Sequence, residues 1–457
     1  MKGNSGVSAL IALLLLASIL GGCSGEGDPV DESSVKWGPY NERAEAFITA
    51  MAEGDFDAAA AMFDATMKRA LPAATLENDV WGLVVNSAGE FVSFHETENK
   101  LIDGYYVCFV TSRHETSGVT LRVVLSRDGL VSGLFIDAYP IIERDTVQRD
   151  GFTDTPVIIG EGTDFPLDGI LSMPDSAGGP APAVVIVHGS GAQDMDLTLY
   201  SNKPYRDIAE YLAANGVAAI RYNKRTYTHG AKVDGSWTVW EETIEDAILA
   251  AEMLKADPRV DENRVFIIGH SMGGSLAPRI HAEGGNFAGL IMLAGTPRFL
   301  LDLSRDQNIA MINETMEGEE REAALAQIEE SWDADVLEMV SLPDTAAKDN
   351  MIGGVSAYYF KELYRNPIPA YLELITVPML IMQGSKDVQV SADADFGMYK
   401  ELLSGRPNVT FKLYEGLNHL FMASAIGTIS GLTEEYQIEG VVDGQVLADI
   451  AEWIKSY

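Results

Sequence analysis

Basic residues are scarce in this chain: 32 Lys and Arg stand against 68 Asp and Glu, a formal net charge of −36 over 457 residues. A surface of that sign repels phosphate backbones and anionic membrane faces, which excludes nucleic acid as a partner. Cysteine is almost absent. Cys23 and Cys108 are the only two, too few for a disulfide framework if Cys23 has another use. Beyond the first twenty residues no apolar run is long enough to span a bilayer. Neither an internal repeat nor a low-complexity block occurs. Seven histidines limit the choice of any imidazole base. What is plentiful is apolar material, 47% of the chain, enough for buried cores and against global disorder.

The N-terminus has its own pattern. Lys2 precedes an apolar run from Val7 to Leu20, then "LGGC" at Leu20–Cys23, then the polar "SGEGDPVDESS". This resembles a bacterial lipoprotein signal, although Gly21 stands where Ala or Ser is usual. The resemblance implies a signal peptide over 1–22, lipidation of Cys23, a flexible tether over 23–37, and an extracytoplasmic, membrane-anchored protein. An uncleaved N-terminal helix or a plain secretory signal are the other readings of the same run.

Residues 38–140 read as an α+β unit. "NERAEAFITAMAEGDFDAAAAMFDATMKRAL" carries helical spacing broken at Gly54-Asp55, and Pro72 ends it. Four alternating segments follow, with turns at Asp103-Gly104 and Asp128-Gly129. With its "GDFDAAAAMFD" stretch the unit resembles the small cone-shaped domain of the nuclear-transport-factor-like group. A docking or spacer role is expected for it.

From residue 141 the rhythm changes. After the hairpin signals "PVIIGEG" and "DFPLDGILSMP", short apolar runs such as "APAVVIVHG", "RVFIIGH" and "TVPMLIMQG" alternate with helical stretches. That predicts an α/β fold, doubly wound around a mostly parallel sheet. Residues 300–365 interrupt it with 15 acidic against 5 basic residues, a helical insertion of the kind that forms lids over strand ends.

"VFIIGHSMGGS" places G-x-S-x-G between a strand and a helix. The pentapeptide alone is weak, since a chain this rich in Gly supplies about a quarter of a match by chance. Its setting is stronger. A nucleophile elbow needs small residues on both sides, here Gly269 and Gly273, and a helix opening at the serine, here Ser271. Two histidines follow it. His281 lies on the same helix and points along it, which leaves His419 in "EGLNHLF" as the workable base. Asp387, at the end of "VPMLIMQGSKD", is the expected acid; Asp302 is the runner-up. Asp393 and Asp395 suit the first turn of the next helix. An oxyanion hole would use the N–H of Met272 and that of Ser190 or Gly191 in "HGSG". His188 shapes that loop. "DMDLTLYSNKP" lacks the turn glycine and final glutamate of a calcium loop, so no metal is expected there.

The ordered "HGSG" loop, "NKP" helix start and "GHSMGG" elbow resemble the α/β-hydrolase family, more narrowly its bacterial secreted esterases, over 141–457. The resemblance implies cofactor-free hydrolysis of a small-molecule carboxylic ester of short or medium acyl chain. Ser271 would be the nucleophile of an acyl-enzyme, His419 the base and then acid, and Asp387 the residue that orients it. The same triad also serves oligopeptidases and thioesterases. A ligand-binding lipoprotein with a vestigial hydrolase unit is the alternative outside enzymes. Oligomeric state is open.

Overall fold

The computed structural model describes residues 35–457 apart from 103, 116, 141–145, 176–177 and 353–354. Cys23, the apolar run and most of the expected tether lie outside the described residues. Val35 and Trp37, expected in the tether, instead pack on the core of the first unit, and the Trp37 ring meets Tyr106 edge-on at 5.9 Å. Two apolar side chains so close to a core gain more by burial than by remaining in a linker.

In the first unit the helix Gly38–Ala52 lies against a four-stranded antiparallel meander. Its strands are β1 (Phe91–Ile102), β2 (Tyr105–His114), β3 (Gly118–Leu125) and β4 (Val131–Ala138), paired in that order. The helical spacing exists because Ala44, Phe47, Ile48 and Met51 fall on one face and bury together with Phe63. Cys108 is sealed in this core. Burial pushes its thiol up to about 12, so it is an inert apolar side chain and no candidate nucleophile.

The rest of the chain forms a nine-stranded sheet. Three strands form an antiparallel edge: β5 (Val147–Gln148), β6 (Phe152–Ile159) and β7 (Leu167–Pro174). Next come β8 (Ala181–Val187), β9 (Ala218–Tyr222), β10 (Val260–His270) and β11 (Leu290–Leu293). A two-residue pair, β12 (Met351–Ile352) and β13 (Val355–Ser356), stands apart, and β14 (Met379–Gly384) and β15 (Val409–Tyr414) complete the sheet. The spatial order is β15-β14-β11-β10-β8-β9-β7-β6-β5, with every pair from β15 to β9 parallel. All seven residues of β8 and all six of β14 are buried, because helices cover both faces of a parallel sheet. Two apolar cores result, one on each face.

Between β11 and β14 the helices Leu300–Thr315, Gly318–Ser341 and Ala357–Arg365 rise over the carboxyl ends of the strands. The expected doubly wound sheet and its helical insertion are both present.

Candidate active site

Ser271 sits between β10 and the helix Met272–Ile280 with φ 54° and ψ −119°. A non-glycine residue rarely adopts such a backbone, and the surroundings must enforce it. They do so by close approach. A Cβ on Gly273 would stand 2.5 Å from the carbonyl oxygens of both Val187 and His188, and one on Gly269 would stand 2.1 Å from Gly273 O. Glycine at both places lets the turn fold back tightly enough to lift the serine above the sheet.

The imidazole and carboxylate expected beside it come from the ends of the neighbouring strands. His419 Nδ1 donates to Asp387 Oδ2 at 2.7 Å. The same oxygen accepts from Gln383 Nε2 at 2.8 Å, and Oδ1 accepts the backbone N–H of Gln389 and Val390 at 2.8 and 2.9 Å. With four donors and no exposed side-chain surface, Asp387 has a single orientation. It holds His419 in the tautomer with Nε2 bare. Asp302, the runner-up acid, lies instead in the first turn of the insertion helix Leu300–Thr315. Asp393 and Asp395 are in the first turn of Ala392–Phe396 as expected, yet Asp395 is fully buried. It accepts from Thr296 Oγ1 and Arg298 Nε, and so fixes two wall residues of the cavity described below.

His419 is seated against the elbow through the residue before Ser271. His270 Nε2 donates to the His419 carbonyl at 2.9 Å, while its Nδ1 accepts from Tyr205 OH at 3.2 Å. Burial, then the His419 imidazole, lower the His270 pKa to about 3, so it stays neutral and works as a strut. His188 is likewise lowered to about 3, by burial and then by Lys224, so it too stays neutral. His281 faces away and accepts the Phe287 N–H at 3.0 Å. No hydrogen bond joins the Ser271 hydroxyl to His419 among the described residues; such bonds are commonly long in unliganded sites and shorten around substrate. His270 and Tyr205 carried no signal in the sequence, because their roles depend on which strand ends become neighbours; Gln383 carried none because its bond depends on how the turn after β14 folds back onto that strand's end.

Ser271 opens into a cavity of about 400 Å³ whose walls include Ser190, Met272 and Leu276. Its roof is Leu300 and Leu303 from one insertion helix and Leu363 from another. Of the two loop donors considered, Ser190 lines this cavity and Gly191 does not. The N–H groups of Ser190 and Met272 donate to no partner among the described residues. Gly189 passes so close that a Cβ on it would lie 3.1 Å from Ser271 Cβ. Among the described residues no three His, Cys, Asp or Glu side chains group as metal ligands. Asp194 accepts from Thr198, and Asp196 pairs with Arg221.

The chain resembles known proteins along most of its length. Residues 178–424, more than half of it, match the family described as serine aminopeptidase, S33. Residues 44–134 match a family described only as a protein of unknown function, DUF3887. Esterase EstD of Thermotoga maritima is 30% identical over 422 residues, 92% of this chain and 96% of that protein. Among solved structures, the Pyrococcus furiosus esterase Pf2001 covers 67% of this chain and 92% of its own at 17% identity and a TM-score of 0.43. A puromycin-hydrolyzing peptidase of Mycobacterium tuberculosis covers 80% of this chain and 48% of its own, at 15% identity and a TM-score of 0.43. With a strand–serine–helix elbow, a family match over more than half of its length and 30% identity to an esterase along 92% of it, this chain is a hydrolase that belongs to the α/β-hydrolase family.

Proposed function

We propose that the protein is a serine carboxylic-ester hydrolase working through an acyl-enzyme. The observation that carries this reading is the Asp387–His419 pair at 2.7 Å, tied to the residue before Ser271, which itself opens into a largely apolar cavity. Ser271 Oγ attacks the ester carbonyl carbon while its proton passes to His419 Nε2. The carbonyl electron pair moves onto oxygen, which the N–H groups of Met272 and Ser190 receive. Collapse expels the alcohol, which takes the proton from His419, and water repeats the sequence to release the acid. The relative named as an esterase supports ester substrates, and the apolar walls support a short or medium acyl chain.

Ser271→Ala is expected to lower kcat on p-nitrophenyl esters by about 10⁴-fold or more, leaving only what binding and the oxyanion donors supply. A serine-directed phosphonate should label Ser271 in the unmodified protein. Retention of a tenth of the activity by the alanine variant would sink the assignment. The family description names an aminopeptidase, so aminoacyl anilides and thioesters belong in the same substrate panel. Turnover of either above the esters redirects the reading to that bond. The proposal includes a location: lipid on Cys23 holds the enzyme outside the cytoplasm, and mass analysis of the mature N-terminus for acyl chains on Cys23 tests it.

A further inference from the structure

Lys224 follows β9 and has 2% of its surface exposed. A buried ammonium is costly unless it is paired. Here Nζ donates to Gly189 O at 2.7 Å and meets Glu242 Oε1 at 2.6 Å. Glu242 is held in turn from the insertion: Tyr359 OH, on the helix Ala357–Arg365, donates to Glu242 Oε2 at 2.5 Å. The same hydroxyl lies 3.4 Å from Met272 Sδ. A polar path therefore runs from a roof helix, through Tyr359, Glu242 and Lys224, to the loop after β8. It also touches the first residue of the elbow helix.

None of these three side chains lines the cavity, so none is placed to meet substrate. What they control is a peptide plane. In a trans peptide the C=O of one residue and the N–H of the next point in opposite directions. Anchoring Gly189 O on Lys224 therefore turns the Ser190 N–H away from Lys224, and Ser190 borders the cavity together with Ser271 and Met272. The neighbouring atoms are tied as well. Gly189 N donates to Tyr205 OH at 3.2 Å, Gln193 Nε2 donates to Ser190 O at 2.8 Å, and Lys224 N donates to Gln193 O at 3.0 Å. The Gly189–Ser190 peptide can flip only by breaking a buried, charge-assisted hydrogen bond, among the stronger kinds in a protein.

We propose that Lys224 is a positioning residue that aims the Ser190 N–H at the developing oxyanion. Glu242 and Tyr359 make that aim depend on the seating of the roof helix. This rests on the reading of Ser271 given above, and it adds a residue that neither touches substrate nor belongs to the triad.

The test uses the full chain carrying Lys224→Met in a Glu242→Gln background, so that no carboxylate is left buried without a partner. Turnover is counted per site titrated by a serine-directed phosphonate, which removes misfolded molecules from the count. On p-nitrophenyl butyrate the expected result is a fall in kcat of about 10²-fold with KM changed by no more than about twofold. Inhibition by a trifluoromethyl ketone, whose tetrahedral adduct needs the same donor, should weaken by a similar factor. Wild-type kcat per titrated site, or a loss confined to KM, overturns the proposal. Activity surviving in Ser271→Ala overturns the underlying reading instead. If the double variant does not fold, Tyr359→Phe carries the test: a parallel, smaller fall in kcat and in ketone affinity supports the path, and no change in either refutes it.

Discussion

At the scale of the residue, the site depends on side chains that do no chemistry. His270 illustrates this. Its pKa of about 3 in the fold lies well below the ordinary 6.5, so between those values the unfolded chain binds a proton that the folded one refuses. The unfolded state holds more protons there, and stability rises with pH through that window, complete above 6.5 and lost as pH falls toward 3. Against His270→Gln, which has no such proton, the unmodified protein should lose advantage by up to about 1.4 kcal/mol per pH unit below pH 6.5. Urea unfolding of both proteins at pH 4.5 and 7.5 measures the difference; parallel curves at the two pH values would remove the strut assigned to His270. Ser271 and His419 were legible in the sequence, because a five-residue turn between strand and helix and the shortage of histidines after it leave few choices. The ties from Gln383 to Asp387 and from Lys224 to Gly189 were not. The first is a contact over four residues that exists only because the turn after β14 folds back on its own strand end, and the second joins two loops that only the spatial order of the sheet makes neighbours.

Elements were readable to the extent that their burial is periodic. The strands β8, β10 and β14 stand out as short apolar runs because both faces of a parallel sheet are covered, and the antiparallel β6–β7 hairpin shows by its turn residues. The order β15-β14-β11-β10-β8 has no such local signature. The packing of Val35 and Trp37 was hidden as well, since two apolar residues beside a polar stretch carry no period. The insertion gives a prediction at this scale. Leu303 projects from the helix Leu300–Thr315 into the roof of the cavity and is 8% exposed. Leu303→Trp should fill the space above Ser271, leaving acetate ester hydrolysis near normal while lowering kcat/KM for octanoate by about tenfold or more. An unchanged octanoate-to-acetate ratio would show that the acyl chain lies elsewhere.

On the scale of the whole molecule, the first unit docks on the short turn that follows Lys224. Tyr227 OH donates to Ser87 O at 2.5 Å, its ring stacks on Tyr139 with centroids 4.5 Å apart, and Lys203 pairs with Glu115 at 3.1 Å. Contacts of this kind make two units unfold together only while they persist. The unmodified protein should melt in one calorimetric transition, and Tyr227→Ala should split it in two. A single unshifted transition in the variant would mean that the units are coupled by other contacts.

The separation of paired strands along the chain also sets a schedule. Leu293 in β11 lies opposite Met382 in β14, and the whole insertion lies between them in sequence. Closing a segment of that length costs on the order of 4 kcal/mol for an ideal chain, a cost recovered only once β14 and β15 exist to pair. Ser271 is therefore synthesised well before the residues that hold it in register with Asp387 and His419. At about 5–20 residues per second the interval is roughly 7 to 30 seconds. On the function proposed above, a newly made chain cannot cleave esters until its last strands have joined the sheet.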